Sequence, residues 1–157
     1  MSIEQVRSYL SRWNREKDII EMDISTATVA LAAAALGVIP ARISKSISLR
    51  DRNNNAMVVV TAGDMKIDNK KFRGHFGFKP KMLNPEETFE YTGHAIGGVC
   101  PFALPEEMEV YLDISMKRFE TVFPACGSSN SAIELKPAEL DEYSQSRGWI
   151  DVCVLSG

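Results

Sequence analysis

The chain has 157 residues, of which 45% are apolar and 25% charged, and its formal net charge is −3. These values predict one globular domain over residues 1–157 and exclude disordered and fibrous proteins, as well as proteins that bind nucleic acid by bulk cationic attraction. Three cysteines without a CxxC pair exclude a disulfide framework and a cysteine-rich zinc site. The sequence shows neither a membrane span nor a signal peptide, so we expect a soluble cytoplasmic protein.

Capping residues and apolar spacing predict two helices in the N-terminal part of the chain. Ser2 and Gln5 resemble a capping box, and the apolar residues that follow predict a helix through about Trp13. Residues 25–26 are candidate N-caps of an alanine-rich helix that ends at Gly37.

The apolar pattern changes to a period of two after residue 41. Ile43, Lys45 and Ile47 fall on one face of the predicted strand, whereas serines at 44, 46 and 48 fall on the other. A polar turn at 51–55 and a β-branched run complete the pattern, so residues 42–62 predict a hairpin.

The rest of the chain alternates short helices and strands. The predicted elements are a helix from Asn84 to Gly93, a loop at 94–105, strands at 110–112, 121–123 and 132–135, a helix from Pro137 to about Ser144, and a strand at 149–155. Because strands and helices do not alternate strictly, the order predicts an α+β fold with a mixed β-sheet, which could close into a barrel with surrounding helices.

Lys45 is the strongest candidate functional residue. Burying an ammonium group without a partner is costly unless it meets a ligand anion or a developing oxyanion in a cleft. The alternative is that its alkyl stem covers the sheet edge while the ammonium group reaches water.

The segment Gly97-Gly98-Val99-Cys100-Pro101 is the second candidate. Adjacent glycines allow a ligand to approach the main chain, and exposed N–H groups can bind a carbonyl oxygen or a phosphate, although an isolated glycine pair also makes an ordinary tight turn.

Two further groups of residues each allow a functional and a structural interpretation. Cys100 could pair with His94 or His75 as a nucleophile, or all three could be structural. Ser128 and Asn130, in a Gly-Ser-Ser-Asn segment, could contact a ligand or form a hairpin turn.

Residues 65–81 contain six basic residues and one acidic residue, interleaved with phenylalanines. Lys70, Lys71 and Arg73 could therefore contact phosphates; the alternative is a solvated helix, and we expect its phenylalanines to enter the core.

Four segments, taken in order, resemble the YbaK/ProX family of aminoacyl-tRNA deacylases and the related editing domain inserted in bacterial prolyl-tRNA synthetases. They are Ala-Ala-Leu-Gly at 34–37 followed by Pro-Ala-Arg-Ile-Ser-Lys-Ser at 40–46, the stretch 92–102 with a GxxxP loop, Ala-Cys-Gly-Ser at 125–128, and Pro-Ala-Glu-Leu at 137–140. The resemblance extends from about Thr26 to Leu155.

The resemblance implies a free-standing editing domain on a mixed barrel that hydrolyses the ester of misacylated tRNA, such as tRNA-Pro carrying Ala, Cys or Ser. It implies no metal and no other cofactor. The expected partner is the acceptor end of aminoacyl-tRNA. An aminoacyl-tRNA synthetase is a possible second partner. Lys45 would bind the terminal phosphate or the ester region. Gly97 would present N–H groups to the ester carbonyl, and the neighbouring His94, Gly98, Val99, Cys100 and Pro101 would contact the substrate.

Two other functions are compatible with these residues. The first is a catalytically silent module on the same fold that binds tRNA or a synthetase, because a fold does not by itself secure activity. The second is a Cys–His hydrolase of another ester or amide.

Overall fold

The structure is a computed structural model that describes residues 2–156. Its α-helices are α1 (Ser2–Leu10), α2 (Val29–Leu36), α3 (Asn69–Phe76), α4 (Pro85–Thr92) and α5 (Pro137–Ser144). Its strands are β1 (Ile20–Glu21), β2 (Ile43–Arg50), β3 (Ala56–Ala62), β4 (Met65–Ile67), β5 (Glu109–Asp113), β6 (Phe123–Pro124), β7 (Ser131–Ala132), β8 (Trp149–Ile150) and β9 (Cys153–Leu155).

A five-stranded mixed sheet forms the centre of the fold, with strand order β6-β2-β3-β5-β8. The β2–β3 pair is antiparallel, and the other three pairings in this sheet are parallel. Two small antiparallel sheets, β1–β7 and β4–β9, lie beside it. The predicted mixed sheet is therefore confirmed.

The expectation of a closed barrel is wrong. Within residues 2–156 the strand order is linear, with β6 and β8 as its two edges. The predicted strand at 149–155 is split: β8 pairs with β5, whereas β9 pairs with β4 in another sheet. Between them the Val152 amide donates to Asp113 Oδ1 at 3.0 Å. Because the chain leaves the central sheet there, no strand is available to close it.

The predicted hairpin is confirmed as β2 and β3, paired from Ser44↔Ala62 to Arg50↔Ala56. All seven residues of β3 are buried because both faces of the sheet are covered. Alternate residues of β3 enter the main core, which includes α1 and α5, and the others pack against Phe72 and Phe76 of α3. The expected burial of these phenylalanines is thus confirmed, although a short strand, β4, precedes the helix.

The helix ends show which capping signals the chain uses. The N-cap of α2 is Thr28, which accepts from the Leu31 amide at 3.2 Å, and not the predicted residues 25–26. Gly37 ends this helix in the left-handed conformation, as predicted. The predicted helix from Asn84 to Gly93 is confirmed as α4, which begins with a capping box at Asn84, and the bounds of α5 are confirmed as well. None of the helices in the described part of the chain is long and apolar enough to cross a membrane.

Candidate active site

A cavity of about 220 Å³ lies where the start of α2, the sheet edge at β2 and the loop after α4 converge. Its lining comprises residues 26–29 with Ala32, residues 43–46 of β2, the loop residues Ile96, Gly97 and Val99, and the facing residues Phe123, Ala125, Ser131 and Ala132. Two of the candidates from the sequence, Lys45 and the Gly97 loop, therefore line one cavity.

Strand β2 places Lys45 at this cavity. Its side chain is half-buried, and its Nζ donates to the Met65 carbonyl at 2.5 Å. Burial lowers the pKa of the ammonium group, and the nearby Asp64 carboxylate opposes this shift. Met65 supplies the single hydrogen bond of this ammonium group within residues 2–156, which leaves two N–H donors for a ligand.

Beside the cavity, part of the β2 edge is not covered by a neighbouring segment. Strand β6 pairs with β2 only at Ile43 and Ser44. Further along, the Leu83 amide donates to the Ser48 carbonyl at 3.0 Å, so another segment covers the edge there. The main chain of Ser46 lies between these two coverings and borders the cavity.

Ser44 brings an unusual polar group to the same place. Its hydroxyl is buried and has no hydrogen-bond partner among residues 2–156. Leaving a buried hydroxyl unpaired costs about 1–3 kcal/mol. Ser44 lines the cavity, but its hydroxyl oxygen is closed off from solvent.

The two glycines of the loop have different roles. Gly97 has φ +90°, and a Cβ there would lie 2.9 Å from the Cβ of Ala27. The Gly98 amide donates to the Ala95 carbonyl at 2.9 Å, and a Cβ on Gly98 would meet the main chain of residues 127–128. The amides of Gly97 and Val99 have no acceptor within the described chain, and both residues line the cavity.

His94 and Cys100 are close to each other but lie outside the cavity lining. Both are fully buried, with Cys100 Sγ 3.5 Å from His94 Nε2. His94 Nε2 donates to the Phe102 carbonyl at 2.9 Å, and Nδ1 accepts from the Ser2 hydroxyl. Burial raises the pKa of Cys100 to about 12, so the thiol stays protonated at neutral pH. This geometry gives neither a free base nor a thiolate nucleophile.

The remaining predicted substrate contacts also lie outside the cavity lining. Pro101 borders a separate surface groove beside Leu104. Ser128 Oγ lies 2.9 Å from Asn130 Oδ1, and Asn130 Nδ2 donates to the Met22 carbonyl at 2.9 Å. Ser128 and Asn130 thus shape a turn, which brings the neighbouring Ser131 to the cavity.

The predicted tRNA-binding residues lie on α3 and do not line the cavity. Lys71 Nζ lies 3.0 Å from Asp151 Oδ1 and donates to the Cys153 carbonyl at the same distance. Lys70 and Arg73 are exposed and border a shallow groove. Of these three bases, Lys70 and Arg73 are therefore the ones presented to a partner.

Sequence reasoning missed the cavity residues contributed by the start of α2 and by Ser131. It grouped Ser44 with the serines opposite Lys45 but assigned it no role. The alternation of serines along β2 was the one local signal that pointed to this residue. In the described part of the chain, no group of three His, Cys, Asp or Glu side chains is arranged to bind a metal ion.

Known structures share this fold over nearly the whole chain. The crystal structure of a candidate trans-editing enzyme for prolyl-tRNA synthetase superposes with a TM-score of 0.86 at 27% identity, covering 99% of this chain and 98% of the other. That of the hypothetical protein APE2540 gives a TM-score of 0.81 at 28% identity, covering 93% and 99%.

Sequence relatives point the same way. The uncharacterized protein YwhH of Bacillus subtilis is 58% identical over 153 residues, which is 98% of each chain. EbsC of Enterococcus faecalis, named as a candidate Cys-tRNA(Pro)/Cys-tRNA(Cys) deacylase, is 26% identical over 106 residues, covering 67% of this chain and 65% of its own. The model of the aminoacyl-tRNA editing domain matches residues 24–143. The chain therefore belongs to the aminoacyl-tRNA editing domain family.

Proposed function

We propose that this protein is a trans-editing hydrolase that removes the amino acid from misacylated tRNA. The observation that carries the proposal is that Lys45 and the Gly97 loop line the same cavity. One element supplies positive charge and the other supplies main-chain N–H groups, which are the two kinds of donor that stabilise a developing oxyanion.

In the proposed reaction, water adds to the ester carbonyl and the carbonyl oxygen becomes negatively charged. The amides of Gly97 and Val99 bind this oxygen, while the two free N–H donors of Lys45 bind the terminal phosphate or the ester region. The bond between the acyl carbon and the ribose oxygen then breaks, and the ribose oxygen takes a proton. The products are a free amino acid and a tRNA with a free terminal hydroxyl.

The cavity lining favours a small amino acid. Three of the residues that border it at α2 and β2 have short side chains, namely Ala32 and the serines 44 and 46. We infer that the substrate is tRNA-Pro or a similar tRNA carrying Ala, Cys or Ser. The name of the relative EbsC, which includes Cys-tRNA(Pro), supports the same choice.

The acceptor end of aminoacyl-tRNA is the proposed partner, and the cytoplasm is the proposed compartment because charged tRNA is used there. Lys45 contacts β4, and α3 with its exposed bases follows β4 after one residue. This short connection supports Lys70 and Arg73 as the bases that meet the phosphate backbone beyond the terminal nucleotide. We also propose an aminoacyl-tRNA synthetase as a second partner.

A deacylation assay on tRNA-Pro charged with Ala, Cys, Ser, Thr or Pro tests the function. We expect Lys45→Ala to lower kcat/KM on the best substrate by about 10²–10³-fold, because it removes a charged donor from the transition state. Lys17→Ala, which removes an exposed lysine that does not line the cavity, should leave the rate unchanged. A folded Lys45→Ala variant that keeps more than about a tenth of the rate would contradict the catalytic assignment. A wild-type protein that binds these tRNAs without hydrolysing any of them would be a silent binding module.

A further inference from the structure

An ion pair lies next to the main-chain acceptor of the Lys45 hydrogen bond. Asp64 occupies the turn between β3 and β4, and Arg118 ends the 3-10 helix Ile114–Arg118. Two guanidinium nitrogens of Arg118 donate to the two carboxylate oxygens of Asp64 at 2.6 and 3.1 Å. Arg118 Nε also donates to the Ser115 carbonyl at 2.7 Å, so the guanidinium group is fixed on both sides.

This pair fixes the main chain that Lys45 contacts. The residue after Asp64 is Met65, whose carbonyl accepts the Lys45 hydrogen bond. The Asp64 carbonyl accepts from the Ser156 amide at 2.8 Å. Arg118 therefore holds the turn by the Asp64 carboxylate, and Ser156, directly after β9, holds it by the Asp64 carbonyl. The Met65 carbonyl that accepts from Lys45 is fixed as part of the same turn.

The charge of Asp64 also acts on Lys45. Burial lowers the pKa of Lys45, and Asp64 opposes that effect, while Lys45 and Arg118 lower the pKa of Asp64. The other titratable group facing Lys45 is Cys153, whose pKa burial raises to about 12, so it is neutral near pH 7. Asp113, beside Cys153, already accepts hydrogen bonds from the Ser115 and Val152 amides.

We propose that Asp64, held by Arg118, is a positioning residue that keeps Lys45 charged and directed into the cavity. The inference rests on the proposed function of Lys45. A bidentate arginine–carboxylate pair has a defined geometry, which a lysine would not reproduce. The pair thus connects the end of the central sheet to the candidate active site.

The experiment compares Asp64→Asn with Asp18→Asn, a matched change in a carboxylate that accepts from Arg15 at 2.7 Å elsewhere. We expect Asp64→Asn to lower kcat/KM about two- to fivefold near pH 7. The loss should grow with rising pH, because Lys45 without its neighbouring anion gives up its proton at lower pH. Arg118→Gln should show a weaker form of the same effect, and Asp18→Asn none.

A ¹³C NMR titration of the Lys45 ε-carbon provides a readout that does not depend on turnover. We expect Asp64→Asn to lower the pKa of Lys45 relative to wild type and to Asp18→Asn. An unchanged titration curve together with an unchanged pH profile would overturn the inference, as would an activity loss that is equal at every pH and follows the loss of folded protein. If the wild-type protein hydrolysed none of the charged tRNAs, the proposed function would fail instead, and the titration would still show whether Asp64 is coupled to Lys45.

Discussion

Lys45 and His94 show how the surroundings of a basic side chain determine its role. Burial lowers the pKa of both. Lys45 is half-buried, borders a cavity and has donors to spare. His94 is fully buried and both ring nitrogens are engaged, so it connects the start of α1 to the loop after α4. The first arrangement suits a ligand-binding cation, and the second suits a neutral structural residue.

The burial of His94 makes folding depend on pH. Its pKa lies below the ordinary value of 6.5, so the unfolded chain binds a proton more readily than the folded one. The stability that this residue contributes is present above pH 6.5 and is lost as the pH falls towards its folded pKa. We expect the free energy of unfolding to decrease below pH 6.5, by at most about 1.4 kcal/mol per pH unit. Urea unfolding at pH 7.5, 6.5 and 5.5 measures the slope.

The other histidine supplies the control for this titration. His94→Gln should be less stable than wild type at pH 7.5 but should lose the slope below pH 6.5. His75 is exposed on α3, so His75→Gln should keep the wild-type slope. Equal slopes in all three proteins would show that His94 does not control the acid response.

At the scale of elements, the loop after α4 depends on its close approach to the start of α2. Gly97 has φ +90°, and Ala27 leaves no room for a side chain there. Because adjacent glycines allow a ligand to approach the main chain, the sequence alone predicts that a Cβ on Gly97 would block the substrate. The structure shows that the nearest atom is the Cβ of Ala27, so the substitution would first displace the loop.

We expect Gly97→Ala to lower kcat/KM more than tenfold, because the Gly97 and Val99 amides would move away from the ester carbonyl. The strained conformation should also cost about 1–2 kcal/mol of unfolding free energy. Deacylation kinetics and urea unfolding on the same preparations separate these effects. Ala27→Gly combined with Gly97→Ala removes the contact but not the strain, so it should recover activity only in part.

Gly74 is the matched control for this substitution. A Cβ there would meet no atom within 4 Å, and its position inside α3 favours alanine. Gly74→Ala should therefore leave activity unchanged and raise stability by up to about 1 kcal/mol. If Gly97→Ala lost activity only in proportion to its unfolded fraction, the loop would be an ordinary turn.

At the scale of the whole molecule, the charges are segregated along the chain. Residues 65–81 hold six basic residues and one acidic residue, whereas residues 86–142 hold twelve acidic and three basic ones. With a net charge of −3, attraction to tRNA must come from a local surface. Lys71 is engaged with Asp151, so Lys70 and Arg73 on α3 are the exposed bases available for it.

Lys70→Glu tests this surface. If Lys70 contacts a phosphate, the substitution should raise KM for aminoacyl-tRNA and reduce the log–log salt slope by roughly 0.7, with kcat unchanged. Lys17→Glu changes the net charge equally at another exposed position and should leave the slope as it is. The same slope in both variants would remove α3 from the tRNA-binding surface. The slopes come from measuring KM of the wild type and of both variants between low and moderate salt.

Local signals were sufficient for the hairpin of β2 and β3, the capped helix α4 and the helix α5, because each depends on neighbouring residues. The same alternation placed Lys45 on one face of β2 correctly. Partner choice between strands depends on residues far apart in sequence, so the splitting of β8 from β9 and the open sheet were not foreseen.

The candidate site divides in the same way. Its two central features, Lys45 and Gly97, are exceptional within their own segments, and each could be identified from the sequence alone. The orientation of the loop that contains His94 and Cys100 depends on packing against α1, which turns both side chains into the core. The cavity itself forms only where α2, β2 and β7 meet, so its Ser44 and Ser131 lining followed from tertiary packing, which no local pattern encodes.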